Sequence, residues 1–383
     1  MEKEKRFRMK DVFISADSLI TPFGMGSEVA FEQIKSGASA VQKHSNFKLS
    51  KNEFYASLIQ ESDEWFYGLN LDESFTRLEK LIILCLNQLI SNEKIQITDR
   101  TLIVLSSTKG NVSVLENPNF SFPNERALLT SLTRKIEDYL ELNNSIQIVS
   151  NACISGSLAI EFARRLLQTE LYDDAIIIGA DEISKFILSG FESFQAVSNE
   201  VCKPFDRDRT GINLGEAIAA VYLTQTPKNN SIKILGSGTY NDANHISGPS
   251  RTGEGLYRSI QKAMDNSPVK IDYISAHGTA TPYNDEMESI AFHRMGFSEI
   301  PANSLKGYFG HTLGASGILE TILGIKSLQN DVLIKSLGFE NQGTTYPVNM
   351  IQKTKKQELK TFLKTASGFG GSNIATVFER VNV

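Results

Sequence analysis

Four short stretches of this sequence carry residue types that could do nucleophilic chemistry at a carbonyl. The first is VSNACISGS at 149–157, where Cys153 stands among small residues, after the apolar run 146–149 and before the helix-like LAIEFARRLL. A helix start offers unpaired amides and the positive end of the helix dipole, and both favour a thiolate over a thiol. Ala152, Ser155, Gly156 and Ser157 leave room for an acyl group, so Cys153 reads as a nucleophile rather than a small core hydrophobe. Cys85, inside the apolar LIILCLNQLI, fits a core position, and Cys202 has no comparable setting. In AHGTATPYND, His277 follows a strand-like run with Thr279 and Thr281 beside it; a structural histidine is the competing reading. In NSLKGYFGHTLGASGILE, Lys306 precedes His311 by five residues and Glu320 follows it by nine, among glycines that permit close backbone approach or simply make turns. Near the end, ASGFGGSN contains Gly368, Phe369 and Gly370, and an amide of this loop could donate to an oxyanion. No G-x-G-x-x-G opens a helix there and no G-K-S/T occurs, which argues against a nucleotide loop. The five histidines, at 44, 245, 277, 293 and 311, lack close ligand spacing, so no metal site is expected.

The elements that must position these residues follow from composition and period. The chain has 383 residues, 41% hydrophobic and 22% charged, which is ordinary for a globular protein with a large core. A net charge of −5 argues against nucleic acid as the main partner. Three scattered cysteines do not make a disulfide framework, and the N-terminus MEKEKRFRMK with VFISADSLI behind it does not read as a signal peptide. No apolar run reaches the ~18 residues of a membrane span, so a cytoplasmic protein is expected. Strand-like runs at 12–15, 102–105, 146–149, 175–178, 232–235, 271–275 and 376–378 alternate with amphipathic stretches at 27–37, 75–91, 124–141, 157–168, 253–264, 285–295 and 314–329. This alternation predicts an α/β fold with both sheet faces covered. IQIVSNACISGSLAIEFARRLL and IDYISAHGTATPYNDEMESIAFHRM each run strand, small-residue loop, helix. Two such units facing each other would bring Cys153 near His277, since functional groups gather at the carboxyl ends of strands.

NACISGS, HGTATPYND, LKGYFGHTLGASGILE and GFGGSN, in this order and spacing, resemble the active-site blocks of the elongating β-ketoacyl-acyl carrier protein synthases of the thiolase fold. KPFDRDRTGINLGEAIAAVYL at 203–223 resembles that family's loop between the cysteine and the first histidine, and the likeness runs over roughly 11–380. The resemblance implies two duplicated α/β halves, 1–232 and 233–383, packed as a layered α-β-α-β-α core. It implies decarboxylative condensation of an acyl group on Cys153 with a malonyl unit, in fatty acid or polyene and polyketide synthesis. Substrates would arrive on the phosphopantetheine of acyl carrier protein, with no cofactor bound to the enzyme. His277 and His311 match the paired histidines; Lys306 and Glu320 match the charged residues around them. The amides of Cys153 and Phe369 match the oxyanion hole. Phe369 also matches a gate, with Gly368 and Gly370 giving it freedom, and Thr279 and Thr281 match contacts to the pantetheine arm. Arg77, Lys80 and Lys203 match positions bordering the carrier dock, and a homodimer or a heterodimer with a related ketosynthase or chain-length factor is implied. GEAIAA and the SSTKGN loop at 106–111 depart from the family pattern and leave the acyl substrate open. A thiolase acting on coenzyme A esters is the nearest rival, but such enzymes carry a second cysteine near the C-terminus, where GFGGSN has none. A non-catalytic partner subunit is the other, and those lack the nucleophile.

Overall fold

The computed structural model describes residues 10–46, 48–116, 122–243, 246, 248–265 and 269–381. Its main sheet has eleven strands among the described residues, a two-residue strand at Gly24–Met25 that pairs with the end of the first and ten that form its path: β1 (Phe13–Thr21), β2 (Thr101–Ser106), β3 (Gln147–Val149), β4 (Asp174–Asp181), β5 (Ala217–Thr224), β6 (Ile232–Asn241), β7 (Tyr273–Ser275), β8 (Ala302–Asn303), β9 (Thr361–Gly368) and β10 (Ser372–Arg380). Their order across the sheet is β3-β2-β4-β5-β1-β6-β10-β9-β7-β8, so each strand of the first five recurs as the strand five places later. The pairing repeats as well. β2 is parallel to β3 and β4, and β5 is antiparallel to β4 and β1. Likewise β7 is parallel to β8 and β9, and β10 is antiparallel to β9 and β6. Even the register shift recurs, between Ile14 and Ala16 in β1 and between Ile234 and Gly236 in β6. The halves meet through a short antiparallel contact of Phe13 with Lys233 and Ile14 with Ile232.

Nine helices among the described residues cover this sheet: α1 (Ser27–Ser36), α2 (Arg77–Glu93), α3 (Leu129–Leu140), α4 (Ser155–Gln168), α5 (Lys185–Ser193), α6 (Glu254–Asp265), α7 (Pro282–Arg294), α8 (Lys306–Phe309) and α9 (Ser316–Asn330). α2 packs on β1, β4 and β5, and α6 on β6, β9 and β10. Between the halves lie α4 and α9, which touch each other and strands of both halves. The result is an α-β-α-β-α stack. Glycine makes the central layer possible, because a Cβ on Gly317 would stand 2.4 Å from the Ser157 nitrogen and one on Gly156 2.8 Å from the Gly314 oxygen. Any larger residue would force the two helices apart, and with them the loops at their N-terminal ends.

The expected elements are present with shifted ends. The helix expected over 124–141 is a 3-10 turn at Asn124–Ala127 followed by α3, because Leu128 is extended (φ −70°, ψ 139°). β5, β8, β9, α5 and α8 are absent from the sequence reading. In β5 and β9 buried residues run without alternation, as two-sided burial allows. Periodicity does not separate such strands from apolar helix.

Candidate active site

The chain leaves β3 and turns sharply before α4. Ala152 takes a left-handed φ of 42°, a conformation that non-glycine residues hold only where surrounding contacts enforce it. Ser155 supplies those contacts: its Oγ accepts the Asn151 N–H at 2.7 Å and donates to the Ala152 carbonyl at 2.6 Å. Cys153 is thereby set at the mouth of α4 and is only 8% exposed. In the second half, β7 ends just before His277. The Glu288 carboxylate on α7 accepts the backbone N–H groups of His277 (2.9 Å) and Gly278 (2.6 Å), fixing the histidine to the helix behind it. His311 lies between α8 and α9; its N–H donates to the Asn213 carbonyl at 2.7 Å. The two halves therefore bring a sulfur and two imidazoles together. One ligating atom from each of Cys153, His277 and His311 lies within 4.8 Å of the other two. The histidine rings meet edge to face, with centroids 5.2 Å apart.

His311 Nδ1 accepts the Leu313 N–H at 3.1 Å, so a neutral ring carries its proton on Nε2. Among the described residues that buried Nε2 has no hydrogen-bond partner, and neither has His277 Nδ1. Burial, first, and then the Lys306 ammonium hold both histidines well below the usual imidazole range. Both rings are neutral at pH 7. This has a consequence for stability. Each group binds a proton in the unfolded chain below about 6.5 but not in the fold, so its contribution is complete above that pH and is lost as pH falls. Asp285, pushed up to about 7 by burial, acts in the opposite sense. The measurable quantity is thus a difference: between pH 7 and 5 the wild-type Tm should fall more steeply than that of a His277→Asn/His311→Asn variant. Equal slopes would show that the histidines do not stay neutral.

Around the pair is a buried ion cluster. Glu320 on α9 pairs with Lys306 through Oε1 and with Lys364 of β9 through Oε2 at 2.7 Å. Burial would raise the Glu320 carboxyl, but the two ammonium groups more than offset it and bring it to about 2. Lys364 was not anticipated from sequence. Its signal is a lysine as the single charged residue of the strand-like TFLKTA, which the fold buries to 1% exposure.

Cys153 itself corrects an expectation. Burial pushes its thiol up to about 11, opposed by the Lys306 ammonium and by the Phe369 backbone amide. The helix begins only at Ser155, two residues on, so the resting group is a thiol rather than the anticipated thiolate. Gly368 passes so close that a Cβ there would lie 3.1 Å from the Cys153 nitrogen. The Phe369 ring stacks against Phe191 of α5 (5.7 Å) and meets Phe194 edge on (5.4 Å). The loop is tied down where the Gly370 N–H, at φ 85°, reaches the Ile246 carbonyl at 2.7 Å. Thr279 and Thr281 share a hydroxyl contact of 2.8 Å, and Thr281 also caps α7.

The three expected docking charges separate. Arg77 is met by Glu61, Glu182 and Glu216 and donates to the Ile59 carbonyl, so its charge is neutralised within the fold. Lys203 pairs with Glu200 at 2.8 Å but remains part-exposed, as does Lys80. Two further carboxylates shape the site. Asp285 accepts the amides of Phe205, Thr279 and Ala280, joining the PFD loop to the histidine loop. Asp181, at the end of β4, collects the amides of Thr108, Lys109 and Gly314, so it anchors the unusual SSTKGN loop beside α9.

Comparison with known proteins agrees with this architecture. The family models described as Beta-ketoacyl synthase, N-terminal domain, and Beta-ketoacyl synthase, C-terminal domain, match residues 9–229 and 232–340. A 3-oxoacyl-(acyl-carrier-protein) synthase 2 of Rhizobium meliloti is 32% identical over 255 residues, covering 61% of this chain and 60% of that protein. Another, from Coxiella burnetii, is 25% identical over 97% of this chain and 98% of its own length. A ketosynthase in complex with its chain length factor from Xenorhabdus doucetiae superposes with a TM-score of 0.85 at 25% identity, with both chains fully covered. No described helix is long and apolar enough to cross a membrane. With a family model spanning more than half of its length, and the second continuing from it, the chain belongs to the β-ketoacyl synthase family.

Proposed function

We propose that this chain is a β-ketoacyl-acyl carrier protein synthase, with the boundary between its functional halves at 232/233. The observation that carries the reading is the meeting of Cys153 with two neutral histidines between the two halves. In the first half-reaction the Cys153 sulfur attacks an acyl-carrier thioester, and the Phe369 and Cys153 amides receive the tetrahedral oxyanion. The carrier leaves as its pantetheine thiol with the proton that Cys153 gave up, so the exchange is proton-neutral. In the second, a malonyl thioester takes the carrier's place. Its C–C bond to the carboxylate breaks, CO2 departs, and the electron pair moves into an enolate whose oxygen is met by donors from His277 and His311. The enolate carbon attacks the acyl-cysteine and the Cys153–acyl bond breaks. A solvent proton then restores the thiol. Lys306 opposes protonation of the histidines and Glu320 holds Lys306 in place; Thr279 and Thr281 line the path of the pantetheine arm.

Phe369 serves as the gate, its ring held between Phe191 and Phe194 until the substrate displaces it. The carrier docks at Lys80 and Lys203, while Arg77 orders the carboxylates beneath. The working unit is a dimer, with a second copy or a related chain, as the Xenorhabdus complex suggests by analogy. No bound cofactor is needed, and a cytoplasmic setting suits the free thiols.

Intact-protein mass spectrometry with a panel of acyl-carrier proteins, followed by malonyl-carrier protein, tests the reading. The expected result is one acyl adduct that the malonyl substrate discharges as a product two carbons longer. In the same assay Lys80→Glu/Lys203→Glu should raise KM for carrier-bound substrate but leave a small pantetheine thioester unaffected. An adduct discharged only by free coenzyme A would favour a thiolase, and no adduct would favour a partner subunit.

A further inference from the structure

Lys364 has no role in the chemistry just described, yet it is a lysine at 1% exposure in the middle of the sheet. Ionisable groups are placed there at a cost, and a lone ammonium would not remain. Its surroundings explain how it is held and what it joins. The Nζ lies 2.7 Å from Glu320 Oε2, the oxygen that Lys306 does not take. It also donates to the Thr365 carbonyl at 2.6 Å and lies 3.3 Å from the Ser275 carbonyl and 3.5 Å from the Ala276 carbonyl. Ser275 and Ala276 are the two residues that lead into His277. One ammonium thus ties together α9, through Glu320, and the strand end that carries a histidine. The next residue completes the brace, because Thr365 Oγ1 donates at 3.0 Å to Glu288 Oε1, the same oxygen that accepts the His277 N–H.

We propose that Lys364 is a positioning residue for the condensation half-reaction, locking the end of β7 and its His277 to the Lys306–Glu320 pair. The proposal rests on the synthase reading. The charges around the histidines come from every side. Lys306 faces them from α8, Glu320 from α9 and Lys364 from β9, with Glu288 of α7 behind the His277 backbone and Cys153 opposite. Lys306, Glu320 and Lys364 together carry one surplus positive charge, and it opposes protonation of both rings. Without Lys364 the pair Lys306–Glu320 is neutral, and this opposition weakens.

Lys364→Met keeps an unbranched side chain one heavy atom shorter, removes the charge and leaves the neutral pair intact. Acylation of Cys153, read by intact mass, should stay within about twofold of wild type, because Lys364 reaches neither the sulfur nor the Phe369 amide. Condensation should lose kcat by on the order of 10-fold to 100-fold with KM little changed, the signature of a misplaced group rather than weakened binding. The acid limb of kcat should move to higher pH as the histidines become easier to protonate. Lys364→Gln, which keeps donors but no charge, should shift the pH profile equally while losing less kcat, and it serves where the methionine variant does not fold. An active wild type whose variants keep normal kcat and pH profile overturns the proposal, as does a parallel loss of acylation. A wild type inactive in both half-reactions instead overturns the synthase reading. In that case NMR titration of the histidine rings decides the question without turnover. Both should titrate at higher pH in the variants, and unchanged titration rejects the role of Lys364.

Discussion

Cys153→Ala should abolish covalent acylation, while Cys85→Ala and Cys202→Ala should retain it. All three thiols are buried, so burial alone does not single one out. Their surroundings do. Cys85 is enclosed by α2, β1 and β5, is pushed up to about 12 by burial, and contacts Ser18 Oγ at 3.4 Å. Cys202 is pushed up to about 12 as well, and its thiol donates to the Lys306 carbonyl at 3.3 Å. Cys202 has the Asn213 amide and the Lys306 charge beside it, but among the described residues neither thiol groups with two imidazoles as Cys153 does. Cys153 has the Phe369 amide, the Lys306 charge and two imidazoles, and these reduce the penalty that burial places on its thiolate. Acyl transfer needs the thiolate, so the effect of the alanine change is complete loss rather than slowing. Intact mass after incubation with acyl-carrier protein reads it directly. An adduct on Cys153→Ala, or peptide mapping of the acyl group to either other cysteine, would remove Cys153 from its role.

Why Cys153, His277 and His311 were legible in the sequence while Lys364, Glu288 and Asp181 were not comes down to range. The first three sit in local patterns of strand, small-residue loop and helix, and the chain must spell such a turn out in consecutive residues. A left-handed Ala152 needs Ser155 three residues on, and a close α4–α9 crossing needs Gly156 and Gly317. The buried charges obey no local rule. Lys364 stands 44 positions from Glu320 in the chain, and Asp181 meets Gly314 across 133 positions. In sequence each reads as a surface charge or a strand breaker, and only pairing in space makes its burial tolerable. The same limit explains Arg77. A basic residue at a helix start looks like an exposed charge until Glu61, Glu182 and Glu216 are seen around it. The doubled fold was half legible for a similar reason. One pair of segments looked alike, but the matching of all ten strands lies in their pairing, which no stretch of residues records.

His277→Ala and His311→Ala separate the two half-reactions. Thioester exchange at Cys153 needs a sulfur nucleophile and an amide oxyanion hole, and the chain supplies both from backbone and Cys153 alone. Each variant should therefore still acquire an acyl group. Decarboxylation is different, because the electron pair released with CO2 must come to rest on an oxygen inside a buried pocket. Among the described residues His277 Nδ1 and His311 Nε2 have no hydrogen-bond partner, and the Leu313 N–H fixes the His311 proton on Nε2. The rings donate as neutral groups, since an imidazolium beside Lys306 and Lys364 would add a third positive charge to the same cavity. Removing one preorganised donor costs on the order of 10²-fold in kcat, or about 3 kcal/mol of transition-state stabilisation. Each single variant should show at least this loss in condensation and in malonyl decarboxylation measured without an acyl partner. The double variant should lose less than the product of the two, since the rings share one oxygen and removal of the first already lets water into the site. Loss of acylation alongside condensation would mean that the histidines act on the sulfur. Near-normal decarboxylation in either variant would mean that its ring is a packing residue, and that the other histidine receives the enolate alone.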